Sequence, residues 1–424
     1  MNRRYFLMGS VATGVARAAA RASANDTIRV AIAGLRGRGR DHVLSFAKLP
    51  GVEIAALCDV DDSITAERLK DMQKLNLKPP ATFRDIRNLL EDQSIDAVSI
   101  ATPNHWHTLM AVWAMQAGKD VFCEKPASHN IFESRQIVAA AQKYSRIVQH
   151  GSQTRSSPSI QEAFKRIREG LLGEVYMARG LCYKPRNTIG KAPVEPVPAG
   201  VDYDLWTGPA PKRDFTRNRF HYNWHWFWDT GNGDFGNQGI HEVDICRWGL
   251  GVRYPKKISA TGGKFMFDDD QETPNVLTVS YEFEVEGRKK MMVFEVRHWH
   301  TNHEGGTKIG NLFYGEKGYM VVDGYTKAAT FMGEKGEPGP SWSGGGDHYA
   351  NFFSAMRSRK ASDLNCPIEE GVISCDLMHL GNIAYRVGRT LTFDEGTLTV
   401  IGDREADKLF TRPYRKPFVV PDRV

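Results

Sequence analysis

Thr27-Ile-Arg-Val-Ala-Ile-Ala33 is a short apolar run, and Gly34-Leu-Arg-Gly-Arg-Gly39 follows it without a break. From about Asp41 the pattern changes, with Val43, Leu44, Phe46, Ala47 and Leu49 at helical spacing. A buried strand, a glycine turn and a helix in succession leave few folds open, because repeated β-α order belongs to parallel sheets. The order recurs. Val52–Cys58 ends at Asp59, and Ile95–Ala101 leads into Thr102-Pro-Asn-His-Trp-His107 and a helix over Thr108–Gly118. Asp120-Val-Phe-Cys123 then stops at Glu124-Lys125-Pro126, and Ile147–His150 reads as a last strand. Residues 25–150 are therefore expected to form an α/β domain, a doubly wound parallel sheet of the Rossmann type with right-handed crossovers.

In such a sheet, ligands sit beyond the carboxyl ends of the strands. The segment Gly34, Arg36, Gly37, Arg38 and Gly39 is the expected cradle for a pyrophosphate, held on backbone N–H groups at the helix start. Gly34 and Gly39 take the first and third places of G-x-G-x-x-G, but Arg36 stands at the second. Either Arg36 pairs with the phosphates or the turn is displaced, and Gly37 permits both. Asp59 lies 25 residues after Gly34, where an acid binds the adenosine ribose and repels a 2′-phosphate. NAD is thus expected rather than NADP.

The chain has 424 residues and a formal charge of +6, enough for two domains. Arg3, Arg4, Arg17 and Arg21 lie among the first 24 residues, which hold no acid. Setting those four aside leaves 52 basic against 50 acidic side chains, a net +2. No basic stripe remains, so a nucleic-acid partner is not expected. Asn2-Arg3-Arg4-Tyr5-Phe6-Leu7 resembles a twin-arginine export signal, and Ala22-Ser-Ala24 gives a cleavage site before Asn25. Export to the periplasm or beyond is the expectation. No later run approaches the roughly 18 apolar residues of a membrane span. The six cysteines (58, 123, 182, 246, 366 and 375) form no C-x-x-C pair and are expected to be free, buried thiols.

Residues 151–424 are expected to form an α+β domain. Gly151–Arg155 crosses into it, with Gln153 directed to the cofactor and Arg155 to the substrate. A helix over Ser159–Glu169 precedes an alternating strand, Glu174–Tyr183, that presents Tyr183 to the substrate. Residues 184–223 are Pro-rich and irregular, and a loop of that length is functional or disordered. His221-Tyr-Asn-Trp-His-Trp-Phe-Trp228 follows it. There Trp224 and Trp226 either hold a pyranose against their rings or plug the core. His221 and His225, like His298, His300 and His303, lack an acidic partner at ligand spacing, so no metal site is expected. Strand-like runs between Lys257 and Met320 predict an open, largely antiparallel sheet, and Gly346–Arg359 and Glu369–Arg389 read as helices. Such a sheet also suggests a homo-oligomer.

The glycine turn, T-P-N-x-x-H at Thr102–His107 and E-K-P at Glu124–Pro126, in this order, resemble the Gfo/Idh/MocA oxidoreductase family. The resemblance covers essentially the whole chain after residue 24. It implies that Thr102, Pro103, Asn104 and His107 border the nicotinamide half of the cofactor, with Glu124 nearby. It also implies that Lys125 lies beside the nicotinamide and the reacting hydroxyl, with a cis bond to Pro126. Gly233–Asp244 resembles the family's segment ending in D-x-x-x-H, but its Asp is Asn237 here. An amide positions a hydroxyl and cannot take its proton. Acid–base work then falls to Lys125 and His241, with Asn237 and His241 four apart on one helical face. Asp244, one turn on, either orients His241 or caps the packing, and is counted among substrate contacts.

The reading is an enzyme that binds NAD tightly and oxidises a secondary hydroxyl, C3 by expectation, of a sugar or glycoside. Its alternative is redox-neutral glycoside cleavage, similar to the NAD-dependent glycoside hydrolase family 109. A third reading is a sugar-binding protein without catalysis.

Overall fold

Six parallel strands build the first sheet in the computed structural model, which describes residues 27–424. The export-signal reading of residues 1–24 lies outside the described residues. The strands are β1 (Ile28–Ala33), β2 (Val52–Cys58), β3 (Ala81–Phe83), β4 (Ala97–Ile100), β5 (Asp120–Cys123) and β6 (Val148–His150). Their spatial order is β3-β2-β1-β4-β5-β6, so the strand order reverses between β1 and β4, where the crevice of a doubly wound sheet opens.

The apolar run of β1 is continuous because both faces are covered. Val30 and Ile32 point into one core, with Val43 and Phe46 of α1 (Arg38–Phe46) and Ile64 and Met72 of α2 (Asp62–Lys74). Ala31 and Ala33 point into the other, with α3 (Ile86–Leu90), α4 (Asn104–Gln116) and α5 (Ile131–Tyr144). Helix starts are capped as their sequences dictate. Asp61 accepts from Ser63 N, Asp85 from Arg87 N and Asn130 from Glu133 N.

The second sheet has ten strands: β7 (Val175–Cys182), β8 (Lys257–Gly263), β9 (Val276–Val285), β10 (Arg288–Arg297), β11 (Ile309–Gly315), β12 (Gly318–Asp323), β13 (Lys327–Met332), β14 (Glu337–Ser343), β15 (Leu391–Asp394) and β16 (Thr399–Val400). All neighbours are antiparallel except β7 and β10. The inward residues of β9 (Leu277, Val279, Tyr281 and Phe283) join one core. This face packs against α8 (Ile240–Leu250) and α10 (Ile368–Val387), whereas α6 (Pro158–Arg168) lies against β13 and β14. The fold is thus a Rossmann-like parallel sheet joined to a mostly antiparallel α/β unit, as expected.

Two features were not foreseen. Phe352 and Phe353 of α9 (His348–Ser358) complete the core around β1, and Phe418 and Val420 enter the core on its opposite face. Residues beyond 340 therefore contribute to both cores that flank the first sheet. All six cysteines are free and buried, and no helix among the described residues is long and apolar enough to cross a membrane.

Candidate active site

A cleft of about 350 Å³ opens beyond the carboxyl ends of β1, β2, β4 and β5. Its floor is the turn Gly34–Arg38. Gly34 has φ +81°, and a Cβ there would lie 2.7 Å from the Ala101 carbonyl. A Cβ on Gly39 would lie 1.8 Å from the Gly34 oxygen, so helix α1 meets the turn at a distance only glycine allows. Arg36 lines the cleft beside Gly37, which has open space around it. Asp59 accepts from Leu35 N at 2.7 Å and from Asp61 N at 3.0 Å. Burial raises its pKa to about 6 against those backbone donors. A glycine-bared backbone with an acid at the β2 end suits a dinucleotide, phosphates on the turn and ribose at Asp59.

Glu124 anchors the other end. Its Oε1 accepts from Arg38 Nε at 2.8 Å and lies 3.0 Å from His42 Nε2, whose Nδ1 is 2.8 Å from Ser99 Oγ. Burial pushes this carboxyl up, but Arg38 and His42 outweigh it and hold it well below its ordinary range. Glu124 thereby fixes the turn after β5. Lys125 follows, with a cis bond to Pro126, and its Nζ donates to the main-chain oxygen of Asn237. Burial lowers the Lys125 pKa, opposed by the nearby Glu124 charge.

Asn237 sits in a π turn, Phe235–Gly239, that leads into α8. Such turns pair N–H with the carbonyl five residues back and recur at functional sites. Asn237 Nδ2 donates to Asp234 Oδ1 at 3.3 Å. A carboxylate only accepts, so the amide oxygen is the end left for another partner. Asp234 is buried with both oxygens on Arg186, at 3.0 and 2.7 Å. Burial would raise its pKa, yet His298 and Arg186 hold it well below the usual carboxylate range.

The π turn disturbs the expected i, i+4 register. Asn237 lines the cleft, whereas His241 lies behind it with its ring 4.9 Å from that of Tyr325. Burial first, and the Lys125 charge second, lower the His241 pKa well below its ordinary value. Thr102, Pro103, Asn104 and His107 all line the cleft. His107 is held between the carbonyl oxygens of Pro126 at 2.7 Å and Thr102 at 2.6 Å, so it braces the loop that carries Lys125.

Other expected contacts lie elsewhere. Arg155 and Asp244 form a buried bidentate pair at 2.9 and 2.8 Å, with Ser374 Oγ donating to Asp244 at 2.7 Å. Neither lines the cleft, and this carboxylate is too engaged to orient His241. In the structure the pair consumes the groups that a substrate contact by either residue would need. Tyr183 is likewise spent: its hydroxyl donates to Glu295 at 2.8 Å and lies 2.9 Å from Glu304. Trp224 lines the cleft, but Trp226 is 2% exposed and packs on Arg186 and His298. Gln153 lies outside the cleft lining, and its buried Oε1 has no partner.

The sequence reading missed the role of residues 184–223. This segment straps the nucleotide end. Val201 bridges to Asp61, Asp62 N donates to Gly200 O at 3.1 Å, and His221 Nε2 lies 3.0 Å from Asp61 Oδ2. Its short helix α7 (Tyr203–Thr207) docks on Trp106, whose Nε1 donates to Leu205 O at 3.0 Å. Trp206, Phe220, His221 and Tyr222 thereby line the cleft from above. The only local signal was the length and aromatic content of the loop, which do not say what the loop covers.

Comparison with known proteins gives matches to two family models. Residues 28–152 match the Gfo/Idh/MocA oxidoreductase family's NAD-binding Rossmann fold, and residues 163–283 and 341–420 match its C-terminal alpha/beta domain. A glycosyl hydrolase family 109 protein of Shewanella pealeana is 33% identical over 154 residues, 35% of this chain and 34% of that protein. Another from Saccharopolyspora erythraea is 31% identical over 161 residues, 37% of this chain and 35% of that one. The matched stretch thus spans about a third of the length of these curated relatives. Among solved structures, the WlbA dehydrogenase of Bordetella pertussis in complex with NADH and UDP-GlcNAcA has TM-score 0.65 at 18% identity, covering 87% of this chain and 99% of that one. The aldose-aldose oxidoreductase of Caulobacter crescentus has TM-score 0.65 at 19% identity, covering 87% and 100%. At that identity the likeness is one of fold.

Proposed function

Because the chain belongs to the Gfo/Idh/MocA oxidoreductase family, whose first domain is an NAD-binding Rossmann fold, we propose that it oxidises a secondary hydroxyl, at C3, of a sugar or glycoside. The observation that carries this reading is Lys125 Nζ on the Asn237 main-chain oxygen, at the end of a cleft that begins at the Gly34–Gly39 turn. When bound, NAD supplies the hydride acceptor.

The chain's own residues position the sugar and handle its proton. The bond to Asn237 fixes Nζ, and its remaining N–H groups are free for the reacting hydroxyl oxygen. A lowered pKa makes this ammonium exchange protons more readily than an exposed one. The Asn237 amide oxygen accepts from a neighbouring hydroxyl. Lys125, which lines the cleft, exchanges the proton of the reacting hydroxyl, while His241 stays neutral behind it, held so by burial and by the Lys125 charge. Asp59 disfavours a 2′-phosphate, hence NAD. Tyr176 and Met291, both exposed on the neighbouring strands β7 and β10, support association of copies through the second sheet.

The strap favours a second reading. A covered nucleotide end retains its cofactor, and retention suits chemistry without net redox. Oxidation at C3 acidifies the C2–H, the C1 substituent leaves, water adds and C3 is reduced again. The export signal read in residues 1–24 gives the same reason, since a cofactor released outside the cytoplasm is not recycled. The test incubates purified protein with chromogenic glycosides and no added NAD. Reduced-nicotinamide absorbance without aglycone release supports oxidation, and aglycone release without added NAD supports the redox-neutral route. Neither signal, even with NAD added, or full activity in Lys125→Met, sinks both.

A further inference from the structure

A second cavity, about 300 Å³, lies behind the cleft between the start of α5, the far half of α10, residues 228–232 and the segment 408–413. Its lining is unusual in what it leaves unpaired. His129 is 8% exposed, and neither ring nitrogen completes a hydrogen bond. Asn382 is 5% exposed; its Nδ2 donates to Asn232 O at 3.1 Å, and its Oδ1 has no partner. Arg412 gives Nη1 to Asp229 O at 2.7 Å, places Nη2 3.6 Å from buried Glu133, and leaves only Nε unpaired. A buried polar atom without a partner costs about 1–3 kcal/mol, so several around one cavity call for a ligand or ordered water.

Size and charge decide between these. The cavity is at the lower end of the roughly 300–1,000 Å³ typical of ligand sites. Three cations line it, Arg386, Lys408 and Arg412, and of these Arg412 is already paired with Glu133. Arg386 stacks on Trp228 at 5.1 Å, and the charges nearest to it, Glu272 and Asp229, are beyond ion-pair distance. Asp229 is the one acid in the lining, and Arg213 already holds it at 2.8 Å. The unpaired groups divide by chemistry. Arg386 and Lys408 call for an anion and Arg412 Nε for an acceptor, whereas Asn382 Oδ1 and the neutral His129 ring call for hydroxyl groups.

The geometry points to a second small-molecule site for a hydroxylated anion, a sugar acid or a sugar phosphate. It is separate from the cleft, and Asn232 is the shared wall. Asn232 Nδ2 donates to His129 O at 3.1 Å, and its Oδ1 accepts from Asn104 Nδ2, a cleft residue, at 3.0 Å.

The test is calorimetric titration of the full chain loaded with NAD, using glucuronate, glucose 6-phosphate and neutral glucose. At least one anion is expected to bind. The double variant Arg386→Gln/Lys408→Gln, both at the exposed mouth, should weaken it roughly tenfold or more, the scale of a lost charged hydrogen bond. Lys125→Met should leave that binding unchanged. Which anion binds distinguishes a carboxylate from a phosphate ligand. The proposal is overturned if neither anion binds, since the unpaired groups then hold water only. It is equally overturned if the double variant binds as well as wild type, if glucose binds as tightly as the anions, or if Lys125→Met abolishes binding.

Discussion

Replacing Asp244 by Asn tests whether this residue serves the substrate or the frame. In the structure its carboxylate holds both forks of Arg155, at 2.9 and 2.8 Å, and accepts from Ser374 at 2.7 Å. The side chains are 8% and 1% exposed, for Arg155 and Asp244 respectively. Asn keeps the shape and removes the charge, which strands a guanidinium where water cannot reach it. Breaking a buried pair in this way costs about 3–5 kcal/mol, a large part of the roughly 5–15 kcal/mol that holds a native protein. Removing both charges, in Arg155→Met/Asp244→Leu, leaves no stranded ion. It should recover most of the loss, short of about 1 kcal/mol for the orphaned Ser374 hydroxyl. Urea unfolding followed by tryptophan fluorescence at neutral pH reads both, and KM is measured on the folded fraction. We expect Asp244→Asn to unfold at markedly lower urea with KM unchanged, and the double variant to return toward wild type. A single variant within about 1 kcal/mol of wild type, or a double variant as unstable as the two singles summed, would refute the reasoning.

Lys125→Met should lower kcat by about 10²–10⁴ and still bind NADH, read by nicotinamide fluorescence. Gly39→Ala should cost about 3 kcal/mol in urea unfolding, because its Cβ would lie 1.8 Å from the Gly34 oxygen. Gly37→Ala faces open space and pays only for its positive φ, about 1–2 kcal/mol; equal losses at both sites would contradict the packing argument. Asp59→Asn should improve NADPH binding relative to NADH about tenfold or more, read by fluorescence titration. On acidification, Glu124, Asp234 and Asp244 carry pKa values below their unfolded ones. Their stabilisation is complete above roughly pH 4 and is lost as pH falls below it, so the urea midpoint should drop there. Between about pH 5 and 8 the balance is closer. Buried Asp376, raised to about 7, and Glu242, raised to about 8, gain stability as pH falls, while buried His105, lowered to about 3, loses it.

Much of the first domain was legible because its signals are local. An apolar run buried on both faces, a glycine where φ is +81° and an acid at a strand end each act within a few residues. The same locality put Thr102–His107 and Lys125 at strand ends, on the crevice side of the sheet. The antiparallel second sheet followed from alternating runs such as β9. Partners were not legible. Arg155 and Asp244 are 89 positions apart, and nothing in either neighbourhood marks them as each other's counter-ion rather than the substrate's. The register from Asn237 to His241 assumed an α turn, and the folded chain has a π turn there instead. The aromatic loop showed that something would be covered, and only the folded chain put Trp206 and Phe220 over the nucleotide end. Sequence by itself determined the strands, the turn chemistry and the family of site they make, because backbone geometry and burial period act over one or two turns. The choice of which charged and aromatic side chains face the cleft, and which are consumed beneath it, was made by tertiary structure. That choice depends on desolvation and pairing between segments that only the fold brings within hydrogen-bonding distance.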